Sequence, residues 1–266
     1  MPTLAAVLAE RGLDKRNVRA LCAEGRVWLD STPVADLGRV VDGVHLRVER
    51  ERPRHSPGRD AAIVSRDEHL AVVYKPSGML SVPAPGRREP SVVKQVERWL
   101  GRAFTVHRID EGTSGLMLVA LDEPTQLAVK SLLEVHDVER RYLALVRGRV
   151  PWSERRVDNL LVENRGDGRR GSGPGGKPAR TTFRRVDTTR DVSVVEARLE
   201  TGRTHQVRIH LAELGFPILG DAVYDGASFS RLALHAHVLG FKLPGGDTYH
   251  HVSPLPDELW RRAFSI

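Results

Sequence analysis

The chain has 266 residues, 40% of them hydrophobic, enough to fill the core of one large domain or of a small domain joined to a larger one. Lys and Arg number 41 against 34 Asp and Glu, and the resulting net charge of +7 and pI near 10.0 favour a polyanionic partner. The single cysteine, Cys22, excludes an internal disulfide and a cysteine-cluster metal site and points to a reducing compartment; with no long uncharged apolar run, a soluble cytoplasmic protein is expected.

In chain order, residues 3–10 and 15–24 predict two short amphipathic helices, because Leu4, Val7, Leu8 and then Val18, Leu21, Cys22 recur at three- and four-residue spacings. β-Structure follows: Val27, Leu29 and Val34 flank a turn-rich Asp-Ser-Thr, and VVDGVHLRV alternates around Gly43. Residues 1–50 are therefore expected to form a small α+β unit. Residues 51–62 are charged, contain two prolines and a glycine and lack periodicity, which marks a linker. A second domain is expected over 63–266, a mixed α/β body. Its strands are read in HLAVVYKP, YLALVRG, VSVVEARLE and HQVRIHLA, and its helices near 90–100 and 124–136. The Gly- and Arg-rich stretch 163–177 is expected to be a loop or hairpin tip.

Four stretches place ionisable or turn-forming residues between apolar strands: KPSGMLSVP at 75–83, HRIDEGTSGLMLVA at 107–120, RRYLALVRG at 140–148 and ETGRTHQVRIHLAELGFPILGD at 200–221. HRIDEGTSG reads as a strand end entering a turn, with Asp110 fixed at the rim of a sheet by the buried strand that follows. Strict alternation in TGRTHQVRIHL predicts a strand with Arg203, His205, Val207 and Ile209 on one face and Thr204, Gln206, Arg208 and His210 on the other. One of Arg203 and Arg208 is then able to reach a carboxylate, and an Asp beside a fixed guanidinium stays ionised.

Taken together, these stretches resemble the RluA family of RNA pseudouridine synthases. HRID with TSG resembles the family's HRLD and TSG signature, KPSG its KPAG, RRYLALVRG its basic residue two before Tyr, KPARTTF its KxAxT, and TGRTHQVRIHLAELGFPILGD its longest block. The resemblance covers about 63–262 and implies a bent, mainly antiparallel sheet with flanking helices and a cleft that takes a flipped uridine. It implies Asp110 as catalytic carboxylate, Arg208 as its partner with Arg203 the second choice, Tyr142 stacking on the uracil, and Arg108 filling the vacated base position. His107, Thr113, His205 and Gln206, in the same motifs, are expected to contact RNA or the target base. No cofactor and no metal are expected, because the product is an isomer of the substrate. The expected partner is ribosomal or transfer RNA, with no membrane, and the protein is expected to be a monomer. Ile109 for Leu is a mild departure, and Glu111 stands where the family is often basic or polar. Residues 1–50 resemble a small RNA-binding domain of ribosomal small-subunit type, with Asp30-Ser31 for Asn-Gly as a departure.

Two other readings compete. A metal-dependent hydrolase would draw on His205, His210, His235, His237, His250 and His251, but no carboxylate or cysteine stands at a familiar ligand spacing near them. A non-enzymatic RNA-binding module accounts for the charge but leaves the grouping of Asp110, Tyr142 and Arg208 without a purpose.

Overall fold

The computed structural model of the protein describes residues 3–10, 21, 27–29, 32–33, 46–48, 60–246, 248–256, 258–259 and 261. The leading segment contributes helix α1 (Leu4–Glu10) and strands β1 (Val27–Leu29), β2 (Thr32–Pro33) and β3 (Leu46–Val48), paired antiparallel in the order β2-β1-β3. Leu4 and Leu8, one helical turn apart, are both buried. All but Leu21 of the helix expected over 15–24, the turns at 30–31 and 42–43, and the linker up to residue 59 lie outside the described residues.

From residue 62 the chain builds an eleven-stranded sheet. Its members are β4 (Ala62–Arg66), β5 (Leu70–Lys75), β6 (Phe104–Thr105), β7 (Ser114–Ala120), β8 (Glu139–Arg147) and β9 (Glu154–Val162). They are followed by β10 (Gly171–Ser172), β11 (Lys177–Thr188), β12 (Val192–Leu199), β13 (Leu234–Lys242) and β14 (Thr248–Val252). The order is β10-β9-β11-β12-β8-β13-β7-β5-β4, with β14 beside β13 and β6 beside β7. Pairing is antiparallel except between β13 and β7. This is the mixed α/β, mainly antiparallel architecture that the resemblance implies. The Gly-rich stretch 163–177 is a hairpin tip, with β10 folding back on β9 before β11 begins.

Helices flank β5 and β7 on both sides, and the period-2 pleat decides which residue meets which helix. Leu70, Val72, Leu116 and Leu118 face α3 (Glu123–Glu134), where they meet Val129 and Leu132. Ala71, Val73, Met117 and Val119 face α2 (Val92–Leu100), where they meet Val92, Val93 and Val96. Both helices start where the sequence supplies a cap: the Ser91 hydroxyl accepts from the Lys94 amide, and the Asp122 carboxylate from the Thr125 amide. Gly101 ends α2 at φ 82°, a left-handed conformation that a side chain disfavours.

One expectation fails. HQVRIHLA is not a strand but helix α4 (Gln206–Glu213). Val207 and Leu211 pack into the core of β8, β12 and β13, while Ile209 packs against Leu161, Ala179 and Tyr224. A helix buried on every side has no apolar stripe, so its residues imitate the alternation of a strand. The two-face assignment falls with it: Arg203 precedes the helix, and Val207 and Ile209, expected together on one face, enter different clusters.

Candidate active site

Asp110 sits in the turn that leads into β7, and KPSGMLS holds that turn from below. Lys75, fully buried at the end of β5, donates through Nζ to the carbonyls of Pro76, Met79 and Glu111 at 2.9, 2.7 and 2.8 Å. The Gly78 amide shares the Glu111 carbonyl, Ser77 Oγ donates to the Gly112 carbonyl, and Ser81 Oγ both donates to the Ile109 carbonyl and accepts from its amide. Burial first, then Arg231, lowers the Lys75 pKa to about 7, against Asp110 and Glu111. Three carbonyls match the three N–H groups of the ammonium form, so the lysine fastens two loops together. Gly115 is required for close approach: at φ 114°, a Cβ there would lie 2.2 Å from the Ala236 carbonyl oxygen.

Helix α4 delivers the countercharge. Arg208 Nη1 lies 3.4 Å from Asp110 Oδ2, while Nε and Nη2 grip the Asp221 carboxylate at 2.7 and 2.8 Å. Asp221 is fully buried, and its Oδ1 also accepts from the amides of Val223 and Tyr224. The guanidinium is thus fixed in plane by a bidentate pair and turns its remaining edge towards Asp110, whose carboxylate is 18% exposed. Burial alone would lower the Arg208 pKa, but Asp221 and Asp110 outweigh it and hold it above the ordinary value. Asp221 and Lys75 were not singled out from sequence. The available signals were a lysine closing the apolar run LAVVY and an Asp after Leu-Gly at the end of the longest motif.

A cleft of about 430 Å³ opens above this pair, and Asp110, Arg208, Tyr142, Arg108, Arg203, His107, Thr113, His205 and Gln206 all line it. Tyr142 projects from β8 between its cross-strand neighbours Ala197 and Ala236, whose small side chains leave room around the ring. Burial pushes its phenol pKa up to about 12, opposed by Arg140, with Asp110 adding to the rise, so the hydroxyl stays protonated. Arg108 is exposed on the cleft wall. Arg203 is also exposed and donates through Nε to the Pro178 carbonyl, so Arg208 and not Arg203 meets Asp110. His205 adopts φ 61° ahead of α4, and its Nδ1 lies 3.0 Å from the Tyr224 hydroxyl. Gln206 uses its whole amide inside the protein, donating to Arg180 O and Thr181 Oγ1 and accepting from Thr201 Oγ1 and the Arg203 amide. Glu111 is exposed beside the cleft floor and pairs with Arg87.

Among the described residues no three of His, Cys, Asp and Glu gather to hold a metal ion. His210 bonds Thr181 and Asn159, His235 bonds Ser114 and Ser253, and His237 donates from Nδ1 to the Ser253 carbonyl. His107 Nε2 accepts from the Leu118 amide, which requires that nitrogen unprotonated. Burial pushes His107 down to about 3, with Arg140 adding to the shift, and takes His210 and His237 to about 4. Unfolded histidine titrates near 6.5, so below that pH the unfolded chain binds more protons and stability falls as pH falls, down to about 4 for His210 and His237 and about 3 for His107. Each group contributes at most about 1.4 kcal/mol per pH unit. Urea unfolding at pH 7 and pH 5 should therefore show a loss of several kcal/mol. Equal stability at the two values would contradict neutral, buried imidazoles.

A carboxylate held by a guanidinium at the floor of a basic cleft of nucleoside size defines a site suited to glycosidic chemistry on a nucleic acid. Known proteins agree: residues 69–213 match the family described as RNA pseudouridylate synthase. Over 224 residues the chain is 37% identical to ribosomal large subunit pseudouridine synthase D of Zymomonas mobilis, covering 73% of this chain and 69% of the relative. Over 268 residues it is 30% identical to a Bacillus subtilis protein called an uncharacterized RNA pseudouridine synthase, covering 94% of this chain and 88% of that one. The solved structure of human RNA pseudouridylate synthase domain containing 1 superposes with a TM-score of 0.65 at 25% identity, covering 75% of this chain and 86% of that one. The chain belongs to the RluA family of RNA pseudouridine synthases and is an isomerase acting on RNA.

Proposed function

We propose that this enzyme takes a flipped uridine of structured ribosomal RNA into the cleft and converts it to pseudouridine with Asp110 as the reacting carboxylate. The observation that carries the reading is the Asp110–Arg208 pair at the cleft floor, 3.4 Å apart, beside an aromatic platform. The C1′–N1 bond breaks with its electron pair going to the uracil. Asp110 either bonds C1′ or takes the 2′ proton to leave a glycal, and a carboxylate suits both, since it traps or relieves an electron-poor sugar. The uracil turns on the Tyr142 ring and C5 bonds C1′ as the Asp110–C1′ bond breaks or, in the glycal route, as the 2′ proton returns to C2′; the C5 hydrogen then leaves as a proton, and N1 gains one. Arg208 sets its positive charge against Asp110, and Arg108 at the rim fills the gap left by the flipped base.

Ribosomal RNA is favoured because relatives from several organisms bear the name ribosomal large subunit pseudouridine synthase D. The leading 50 residues, with their helix and three-stranded sheet, serve as an accessory RNA-binding unit in this reading. The direct test is purified protein with unmodified ribosomal RNA transcribed from uridine tritiated at C5. Release of tritium to water is expected, and no release over many turnover times would contradict the reading. Tyr142→Phe should keep most of that activity and Tyr142→Ala should lose about 10- to 100-fold, since base stacking is worth roughly 1–3 kcal/mol. Equal loss in both would assign the hydroxyl, not the ring, the main role.

A further inference from the structure

Among the described residues, two buried side-chain atoms of residues that line the cleft have no hydrogen-bond partner: Thr113 Oγ1 and Arg140 Nε. Thr113 is 1% exposed and Arg140 8%. A buried donor left without a partner is costly, and both residues line the same cleft, so a partner that arrives with the substrate would relieve both. Arg140 is the more unusual, since among the described residues no carboxylate pairs with it; its Nη2 donates only to the Glu200 carbonyl at 3.2 Å. Gly202 makes room for the guanidinium, because a Cβ there would lie 2.6 Å from Nη1. The cations that suit RNA phosphates, Arg108 and Arg203, are exposed, whereas Arg140 is buried.

The strand register places these atoms about the platform. Ala144, Tyr142 and Arg140 project from one face of β8. Ala144 pairs with Leu234 and Tyr142 with Ala236 on β13, while on the other side of β13 Ala236 pairs with Gly115 and His235 with Ser114. Thr113, one residue before Ser114, therefore enters at the Ala144 end, Arg140 stands at the other end, and the Tyr142 ring lies between.

We propose that Thr113 Oγ1 and Arg140 Nε are catalytic donors to the two carbonyl oxygens of the uracil, O2 and O4, one at each flank of the base stacked on Tyr142. A half-turn of uracil about its N3–C6 axis exchanges N1 with C5 and, in the same motion, O2 with O4. Each flank therefore meets a carbonyl oxygen before and after the rotation, and the base is held without favouring either orientation. When the C1′–N1 bond breaks, the electron pair left on N1 spreads onto O2 and O4, the two atoms these donors would meet. Cytosine carries an amino group in place of O4, and an N–H set against a guanidinium N–H is repelled, so the same pair selects uracil. The inference rests on the proposed function, in particular on the uracil lying on Tyr142.

The test is single-turnover pseudouridine formation and RNA affinity for Arg140→Met and Thr113→Val, with Thr113→Ser as the conservative control. Each of the first two should lower the single-turnover rate at saturating RNA by about 10²- to 10³-fold with RNA affinity nearly unchanged, and Thr113→Ser should recover most of the loss. Replacing the target uridine with 4-thiouridine, whose sulfur accepts hydrogen bonds poorly, should slow the wild type strongly and the two variants little further. Undiminished rates in both variants, or fully additive losses with the thio substrate, would overturn the inference. So would an Arg140→Met enzyme that merely binds RNA more weakly with a flatter salt dependence, the behaviour of a phosphate contact. A wild type that forms no pseudouridine overturns the proposed function itself, which separates that failure from this one.

Discussion

Asp110→Asn should abolish turnover, by at least about 10⁴-fold, while leaving the fold and RNA affinity almost untouched. The substitution keeps volume and shape, so the turn that Lys75, Ser77, Gly78 and Ser81 hold from below has no reason to move. It removes a charge but strands none, because Arg208 keeps its bidentate pair with Asp221. A melting temperature near the wild-type value together with no product is the expected pair of results. Residual activity near the wild-type level would remove Asp110 from the chemistry.

Asp221→Asn makes the same chemical change on the other side of the same arginine and should have nearly the opposite effect. Asp221 is fully buried and accepts both arms of the Arg208 fork, so the amide leaves a buried guanidinium poorly answered. Removing one partner of a buried pair costs about 3–5 kcal/mol, and that loss should appear in urea unfolding. Turnover should fall by roughly 10²-fold, through an Arg208 that no longer aims at Asp110, and not to zero. If Asp221→Asn were as stable as the wild type, the account of Arg208 as an arm fixed from behind would be wrong.

Much of this was legible in the sequence where local chemistry decides the outcome. Ser91 and Asp122 cap their helices as those residue types do, and the unbroken apolar run SGLMLVA becomes a strand buried on both faces. The motif residues Asp110, Tyr142 and Arg208 are brought to one cleft. Legibility ended where burial erased the pattern, as in α4, whose surroundings are apolar or hydrogen-bonding on every side and whose periodicity therefore carries no face. It also ended where a role depends on pairing across the chain. Nothing local to Lys75 reveals that its ammonium closes on the carbonyl of Glu111, 36 residues later. Nothing near Arg140 announces an arginine that, among the described residues, has no acid partner, since that becomes visible only once β8 and the loop carrying Glu200 and Gly202 are placed.

The account turns on one claim, that this chain isomerises uridine in RNA through Asp110. Its most direct test is a carbodiimide-based pseudouridine map of all cellular RNA, taken with the gene present, deleted, and restored as either the wild type or Asp110→Ala. One or a few ribosomal uridines should lose their modification on deletion and regain it with the wild type alone. Modification returning equally with Asp110→Ala would contradict the claim.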